Sequence, residues 1–449
     1  MMKKIHLYRL MLLAMLPALV LTSCRFEDED YFDESAALRI EHGAQNMQDK
    51  LVAAPNGWVM QYFCGTDIAQ FEGFNLFARF ENSNKVTFAG NHRFLRNGNQ
   101  NKYTEASSIY EMLQEDGLVL AFNVWNDVLT PFVDPVSYGN APANIIKDGE
   151  GMHGDHNFVV MSQTDDEIIM RGERHSAEVR LVKCDRTWQE YIDATDALKK
   201  SITNSSINDY YVVSADNDTL YFQGLRNGRF LYTDDLDKTK SVKVDSLPCV
   251  FTPTGFRIER KDSIGAYAFH EFTLADDKTC LQNEDGNVKV IARWDAYIVN
   301  HTAIWKMDQS LFSNEQTALF NQIDTELKKQ NANWSLESIG IGKSVGSGAV
   351  TGLILTFYTN TAKSKTNSAG LELTMTRPQF GQMAISCSKE NKIDKNMENI
   401  KKKATEIEEL CRSFAALLSG TYQMTPDNYF LPTSGQFEPI SGGTSFKLN

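Results

Sequence analysis

The sequence has little of three things: long apolar runs, positive charge and closely spaced cysteine. The run from Leu10 to Thr22 is the longest apolar stretch, and nothing after it approaches the roughly twenty residues that a membrane-spanning helix needs. Asp and Glu number 58 against 45 Lys and Arg, a balance that argues against nucleic acid or an anionic lipid surface as a partner. The chain after its leader is therefore expected to be globular, with no nucleic-acid partner.

The seven cysteines exclude two further classes of protein. They are widely spaced and form no Cys-x-x-Cys pair, which argues against a zinc knuckle and against a disulfide-dense scaffold. Without Cys24 the other six form an even number, and exported proteins meet an oxidising environment. Because Cys64, Cys184, Cys249 and Cys411 lie in apolar strand or helix patterns, we expect mostly buried thiols, with any pairing left open.

A secretory leader opens the chain. Its apolar run is too short to span a membrane and follows three basic residues, Lys3, Lys4 and Arg9. The run ends in LTSC, residues 21–24, which resembles the bacterial lipobox with cleavage between Ser23 and Cys24. In that class of signal the cysteine is acylated with two or three chains, and at about 0.8 kcal/mol per buried CH₂ these anchor a protein permanently. The alternative is a plain secretory leader with a chance cysteine.

An acidic run follows the cysteine, made of Glu27, Asp28, Glu29 and Asp30. It resembles the export signal that Bacteroidetes lipoproteins carry just after the lipidated cysteine, which directs them to the outer face of the outer membrane. The alternative is a solvated acidic tether. We therefore expect residues 1–23 to be a signal peptide, residues 24–33 a tether, and the protein to be an outer-membrane lipoprotein facing the exterior.

The body of the chain predicts a β-rich α+β fold with a repeated rhythm of one helix and then an antiparallel meander. Residues 34–185 begin with a helical face that includes Ala44, Met47 and Leu51, and continue as short alternating strands. Residues 186–308 repeat the rhythm after a capping box at Thr187 and Glu190. Each meander is expected to form a sheet or a partly closed barrel.

The last region, residues 309–449, predicts an α+β domain with a long helix on a sheet. Ser313 and Gln316 form a second capping box. The clearest helical periodicity in the chain follows the strands of this region, with Gly420 suited to the position after the helix. The apolar residues that carry this periodicity are Ile400, Ala404, Ile407, Cys411, Phe414 and Leu418.

The densest cluster of potential metal ligands is His153, Asp155 and His156. A zinc site needs three or four converging donors, and here the sequence supplies no helical His-Glu-x-x-His frame and no identifiable third ligand. We therefore favour a structural turn over a metal site, with His156 as a packed strand residue. The sequence predicts no bound cofactor and no recognisable catalytic set.

Aromatic residues supply the one hint of ligand binding. Five tryptophans lie in or beside predicted strands, and an exposed indole could stack on a sugar ring, although burial in a β core is the usual fate of tryptophan. These residues are Trp58, Trp125, Trp294, Trp305 and Trp334.

With these features assembled, the chain resembles the Bacteroidetes lipoproteins grouped as domain-of-unknown-function family 4302. Besides the lipobox, the resemblance is carried by APNGWVMQYF (54–63), GLVLAFNVWNDVLTPFVDP (117–135), GDHNFVVM (154–161) and DDEIIMRGERHSAEVRLVK (165–183). It implies a surface or periplasm-facing lipoprotein of unassigned activity. Members are often encoded beside TonB-dependent transporters, their glycan-capturing lipoprotein partners and zinc-peptidase-like proteins. The resemblance carries over no catalytic residue.

Three functions are consistent with these observations. The first is a non-enzymatic accessory protein of a nutrient-uptake system, which binds a glycan or peptide ligand or docks onto a TonB-dependent transporter complex. The second is an exported hydrolase with an unrecognised active site, and the third is a purely structural surface module. A concave surface with exposed aromatic and polar groups would favour the first, and a cleft with a third donor beside His153, Asp155 or His156 would favour the second.

Overall fold

The computed structural model describes residues 36–64, 72–114, 117–134, 152–203, 206–226, 228–235, 240, 244–300 and 303–449. The predicted leader, Ser23, Cys24 and the acidic run lie outside these residues. The described chain forms six α-helices and antiparallel strands arranged in four sheets, which confirms the predicted β-rich α+β class. No helix in this part of the chain is long and apolar enough to cross a membrane.

The first region is a helix followed by a nine-stranded sheet. The strands lie in the order β4-β3-β2-β1-β9-β8-β7-β6-β5. Its elements are α1 (Ala36–Ala53), β1 (Trp58–Phe63), β2 (Gly73–Phe80), β3 (Lys85–Gly90), β4 (Thr104–Ile109), β5 (Glu111–Gln114), β6 (Leu118–Ala121), a 3₁₀ turn (Thr130–Phe132), β7 (Asn157–Gln163), β8 (Glu167–Gly172) and β9 (Glu178–Lys183).

The two edges of this sheet are consecutive in sequence, so the sheet must curl. Strands β4 and β5 are separated by Tyr110, which is buried and whose hydroxyl donates to the carbonyl of Glu81. The continuous segment 104–114 therefore pairs with β3 through its first strand, β4, and with β6 through its second strand, β5. Helix α1 packs against β2, β5 and β6. Its predicted apolar face, including Met47 and Leu51, is buried in the core of this region.

The second region is a helix followed by a closed barrel of eight strands. Its elements are α2 (Trp188–Ile202), β10 (Asp209–Ser214), β11 (Thr219–Arg226), β12 (Arg229–Thr233), β13 (Val244–Phe251), β14 (Gly255–Ile264), β15 (Tyr267–Leu274), β16 (Leu281–Gln282) and β17 (Val288–Ala292). The capping box predicted at Thr187 and Glu190 is present at the start of α2.

Aromatic side chains fill the core of the barrel. Phe222 stacks on Phe230 at 5.1 Å between ring centroids, and Phe256 and Phe272 lie 5.2 Å apart beside them. All four are buried, and each buried phenylalanine contributes about 1.5–3 kcal/mol. Eight strands enclose a space that side chains can fill completely, so a ligand of this protein is expected on the outside of the barrel.

Helix α2 links the first two regions. Near its start, Trp188 and Tyr191 pack on Phe77 of β2, with ring centroids 5.7 and 5.6 Å away. Near its end, Leu198 and Ile202 join the core cluster of the barrel. One amphipathic helix therefore holds the sheet and the barrel side by side.

The third region contains a four-stranded and a five-stranded sheet, β18-β19-β20-β21 and β22-β23-β24-β25-β26. Its helices α4 and α6 pack on each other, and α4 also packs on β19. Its elements are α3 (Trp294–Asn300), β18 (Trp305–Lys306), a 3₁₀ turn (Gln309–Leu311), α4 (Asn314–Gln330), β19 (Ser335–Lys343), β20 (Thr351–Tyr358), β21 (Thr366–Glu372), β22 (Thr374–Thr376), β23 (Gln382–Ser386), α5 (Lys395–Lys401), α6 (Ile407–Leu417), β24 (Gly420–Pro426), β25 (Gly435–Gly442) and β26 (Phe446–Leu448).

The long helix predicted around residues 400–418 is interrupted. Helix α5 ends at Lys401 and α6 begins at Ile407, with turns between them. Lys402 and Glu406 keep right-handed helical backbone angles, so the chain continues to rotate in the same sense and the six predicted apolar residues are all buried. Gly420 opens strand β24, which corrects its predicted position directly after the helix.

The six cysteines of the described chain are free thiols. Cys64, Cys184, Cys249, Cys280 and Cys411 are buried, and Cys387 is partly buried. The expectation of mostly buried thiols is confirmed. Burial raises the pKa of the Cys64 and Cys249 thiols far above the ordinary value, which makes both of them poor nucleophiles.

Candidate functional site

The predicted cluster of His153, Asp155 and His156 forms a structural turn. The buried Asp155 carboxylate accepts hydrogen bonds from the backbone amides of Arg174, His175 and Ala177 at 3.0–3.2 Å. These bonds hold the β8–β9 connection and occupy the oxygen atoms that a metal ion would need.

The two histidines of the cluster diverge. His153 has a left-handed backbone (φ 52°), and its ring lies 5.4 Å from the ring of His175. His156 is exposed in the bend before β7, so the prediction of a packed strand residue is wrong: the strand begins one residue later, at Asn157. Within the described residues, no group of three or more His, Cys, Asp or Glu side chains is placed to hold a metal ion.

The segments that carry the family resemblance meet around this turn. The Tyr62 hydroxyl accepts from the backbone N–H of Asp155 at 2.7 Å and donates to its carbonyl at 3.1 Å. The backbone N–H of Gly154 donates to the carbonyl of Phe132 at 2.8 Å. A Cβ at Gly154 would lie 2.5 Å from the Tyr62 hydroxyl, so only glycine fits there. The four segments therefore contact one another at this turn. Their resemblance to the family indicates a common fold.

The tryptophans do not form a common binding platform. Trp58, Trp294 and Trp305 are buried, and Trp334 packs on Phe357. Trp125 differs, because it is 50% exposed. The guanidinium of Arg96 covers one face of Trp125, 5.1 Å from the ring centroid, and its indole N–H donates to Asp127. One half-exposed indole is too small a surface to define a ligand site.

A polar cleft lies where the nine-stranded sheet meets the barrel. We call it the sheet–barrel cleft; its volume is about 570 Å³, within the ~300–1,000 Å³ usual for small-molecule sites. Strands β8 and β9 form one wall, and β14, β15 and the β16–β17 turn form the other. The charged and aromatic side chains that line it are Glu167, Arg180, Arg257, Lys261, Tyr267, Phe269, His270, Glu271, Glu284 and Asp285.

Arg180 joins the two walls of the sheet–barrel cleft. Its guanidinium donates to Glu167 at 2.7 Å within the sheet and to Glu271 at 2.8 Å on the barrel. Burial lowers the pKa of Arg180, but the hydrogen bonds and charges of the two glutamates outweigh it and raise the pKa overall. The Nε atom of Arg180 is buried and has no hydrogen-bond partner in the described part of the chain.

Arg257 is the most deeply buried charge in the cleft. Its side chain is 4% exposed, and one terminal nitrogen pairs with Glu178 on β9. The guanidinium lies over the Phe63 ring, 5.4 Å from its centroid. Its Nε and Nη1 atoms, although buried, have no hydrogen-bond partner among the described residues. Burial lowers the pKa of Arg257, and the charge of Glu178 opposes that shift.

His270 stands beside Arg257 at an irregularity in the barrel. The β14–β15 pairing passes from Arg257–Glu271 directly to Asp262–Phe269, so β14 carries extra residues opposite His270. Such bulges re-aim side chains and are over-represented next to active sites. Burial and the nearby Arg257 charge lower the pKa of His270, which keeps its ring neutral near pH 7. Its Nε2 atom also lacks a partner in the described structure.

A second cavity of about 520 Å³ lies at the same sheet–barrel interface, beside helix α2. Glu72 and Arg93 form an ion pair there at 3.0 Å, and Lys199 lies over the Phe251 ring. Burial raises the pKa of Glu72, with Arg93 acting in the opposite direction.

Sequence reasoning missed the cleft residues. Arg180 lies on the polar face of the alternating strand β9, whereas Arg257 and His270 lie in the strands of the second region. The available signal was charge on the polar faces of EVRLVK and FRIERK, where glutamate and arginine alternate. That pattern does not predict that the polar faces of β9 and β14 lie against each other in the fold.

Fold and site together define an α+β protein in which a curled sheet and a filled barrel meet at a cleft of paired arginine and glutamate. The chain belongs to the family described as domain of unknown function (DUF4302), whose model matches residues 28–276. The match spans the sheet, helix α2 and the barrel through β15, and so includes Arg180, Arg257 and His270. No curated protein and no solved structure matches the chain.

Proposed function

We propose that this protein is a lipid-anchored accessory protein of the outer membrane that faces the cell exterior and binds a ligand of a nutrient-uptake system in the sheet–barrel cleft. It would act beside a TonB-dependent transporter complex. The observation that carries the ligand-binding part is the buried Arg257 guanidinium, which lines a cleft and has two nitrogen atoms without a hydrogen-bond partner among the described residues.

A buried guanidinium with unused N–H groups is costly. Arginine stays protonated in proteins, and a buried donor without an acceptor costs about 1–3 kcal/mol, more when it is charged. Ligand sites repay such costs, because they are concave, lie preferentially between domains and hold a few convergent polar groups. The Arg257 position has all three properties, which supports a site where ligand oxygen atoms accept from Nε and Nη1.

The membrane part of the proposal is supported by the leader, the lipobox-like LTSC and the acidic run that follows it. The family resemblance adds the association with transporter complexes. Among the described residues the hydrolase alternative gains no support at its predicted position, because the backbone amides of the β8–β9 connection occupy the Asp155 carboxylate.

Lipid anchoring is tested with Cys24→Ser in the native host. We expect the wild-type protein in the membrane fraction and the variant in the soluble fraction, because two or three acyl chains supply the attachment. Cys387→Ser is the matched control, since it removes a partly buried thiol that is not part of the leader sequence. Biotin labelling of intact cells reports whether the anchored protein faces outward. Unchanged membrane fractionation of Cys24→Ser would contradict the anchor.

Ligand binding is tested with Arg257→Lys, which keeps a positive charge opposite Glu178 but removes the Nε and Nη1 donors. The purified protein is incubated with a small-molecule extract of growth medium, and retained compounds are identified by mass spectrometry. We expect retention by the wild type and a drop of about tenfold or more in the variant, since charge-assisted hydrogen bonds contribute roughly 1.5–3 kcal/mol.

Arg260→Lys is the matched control for this experiment. Arg260 lies three positions along β14, pairs with Asp245 and does not line the cleft. It should retain the same compounds as the wild type. Equal retention by all three proteins, or none by the wild type, would overturn the cleft as a ligand site. Circular dichroism establishes that each variant is folded.

A further inference from the structure

We infer that the ligand of the sheet–barrel cleft is an uncharged, hydroxyl-rich molecule, that is, a neutral saccharide. This inference rests on the proposed function, because it names the chemical class of the ligand for the same site. It follows from the charge balance of the cleft, the kind of polar atoms on its walls, and the pairing of its strands.

The charge balance disfavours an anionic ligand. Each arginine of the cleft is already paired with glutamate: Arg180 with Glu167 and Glu271, and Arg257 with Glu178. The rim adds Glu284 and Asp285 against the single positive charge of Lys261. A phosphate or carboxylate would therefore enter a site that is already negative overall, and like charges at close range cost free energy.

The polar atoms of the cleft suit hydroxyl groups. Arg180 Nε and Arg257 Nε and Nη1 are buried donors that need acceptor oxygen atoms. The carboxylates of Glu167 and Glu271 lie beside them and can accept further hydrogen bonds, since a carboxylate has about four lone-pair positions. A hydroxyl group donates and accepts at once, so neighbouring hydroxyls on a sugar ring match alternating guanidinium and carboxylate groups.

The rim of the sheet–barrel cleft also carries an aromatic ring. Tyr267 lines the cleft, and its hydroxyl donates to Asp216 at 3.1 Å, which holds the ring in place. An aromatic face is a flat apolar platform on which the C–H face of a sugar ring can lie. The cleft thus offers one apolar surface and a polar floor, as a sugar ring has one apolar face and a polar perimeter.

The strand pairing of the sheet wall disfavours a peptide there. Peptides that bind by strand addition need an unpaired sheet edge. On this wall β8 pairs with β7 and β9, and β9 pairs with β8 and β1. Neither β8 nor β9 therefore offers a free edge to a peptide backbone.

The inference is tested on an array of neutral oligosaccharides. The purified full-length lipoprotein is kept in a detergent without a sugar headgroup, which would compete. We expect binding of at least one oligosaccharide by the wild type and by Arg260→Lys, and affinity at least about tenfold lower in Arg257→Lys and Tyr267→Ala. Tyr267→Phe keeps the aromatic ring and should retain most of the affinity.

Inorganic phosphate and a mixture of short peptides serve as competing probes, followed by calorimetry. Arg257-dependent binding of either probe, or no Arg257-dependent binding anywhere on the array, would overturn the saccharide inference. The retention experiment with the growth-medium extract shows whether the saccharide inference alone is wrong or the ligand-binding proposal is wrong as well. If Arg257-dependent retention there yields a compound that is not a saccharide, the cleft remains a ligand site and only the ligand class is wrong.

Discussion

The curled sheet and the barrel are built from similar antiparallel meanders that each follow a helix, yet they form their cores differently. The barrel closes through backbone pairing, and aromatic side chains such as Phe222 and Phe256 fill its interior. The core of the nine-stranded sheet instead includes residues of helix α1, Phe94 from a loop and Phe132 from the 3₁₀ turn. Eight strands leave a space that side chains can fill, whereas a wider curl needs additional chain inside it.

The two regions also differ in how far their cores extend. The core cluster of the sheet region contains residues of that region alone, from Met47 to Leu181. The barrel cluster runs without interruption into the C-terminal region, from Leu198 to Leu448. We therefore expect the sheet to unfold as one unit, and the barrel and the C-terminal region to unfold together as another.

The largest effect is expected from Trp294→Ala. Trp294 follows the last barrel strand, is buried, and contacts Phe380 and Tyr429 of the C-terminal region at 5.4 and 5.8 Å. Truncating such a residue costs about 3–5 kcal/mol. Hydrogen exchange should show protection lost in both the barrel and the C-terminal strands, with the sheet unchanged.

The control for this experiment is Trp125→Ala, because Trp125 is half exposed and its truncation should change stability by no more than about 0.5 kcal/mol. Loss of protection in the barrel alone would contradict the expectation that the barrel and the C-terminal region unfold together. Equal loss of protection in the sheet would contradict the expectation that the sheet unfolds separately.

The next largest effect is a pH dependence of the stability of the sheet region. His92 is buried; its Nε2 atom lies 2.9 Å from the carbonyl of Val128, and its Nδ1 accepts from the Phe94 amide. Burial lowers the pKa of His92 from 6.5 to about 4. The unfolded chain therefore takes up the proton first as the pH falls, and the stabilisation present above pH 6.5 is lost progressively down to about pH 4.

This shift corresponds to about 3 kcal/mol of unfolding free energy. Urea unfolding at several pH values should show the loss in the wild type and a smaller loss in His92→Gln. His156→Gln is the control, since His156 is exposed. An identical pH profile for wild type and His92→Gln would show that His92 does not titrate between the folded and unfolded states as described.

The smallest effect is expected from Glu271→Gln, which weakens the contact between the two regions. Glu271 is 40% exposed and pairs with Arg180 across the sheet–barrel cleft. Exposed ion pairs contribute about 0–1 kcal/mol and weaken with added salt. A double-mutant cycle with Arg180→Met measures the coupling, and a value well above 1 kcal/mol would show that the two regions depend on each other more than their separate cores suggest.

Local patterns predicted much of the fold because they depend on neighbours in sequence. The capping boxes at Thr187 and Ser313 are both present, since a helix start needs only its own first turn. The apolar face around Ala404 was found, but the break in that helix was not. Periodicity records which side chains are buried, and a turn that keeps the helical sense leaves the period intact.

The candidate site was predicted poorly for the same physical reason. His153, Asp155 and His156 are close in sequence and have polar side chains, which made them visible, yet the aspartate serves backbone amides and His156 is exposed. Arg180 and Glu271 are separated by 91 positions and still form one ion pair. A pattern of neighbours cannot reveal such a pair.

The sequence by itself determined the leader prediction, the strand rhythm, the capped helices and the β-rich α+β class, because signal recognition, hydrophobic alternation and capping act over a few residues. Only the tertiary structure decided that one meander curls around a helix and the other closes around its own side chains. It also decided that their polar faces meet. The sheet–barrel cleft exists because helix α2 packs on both bodies and brings Arg180 and Arg257 together from strands that are distant in the chain.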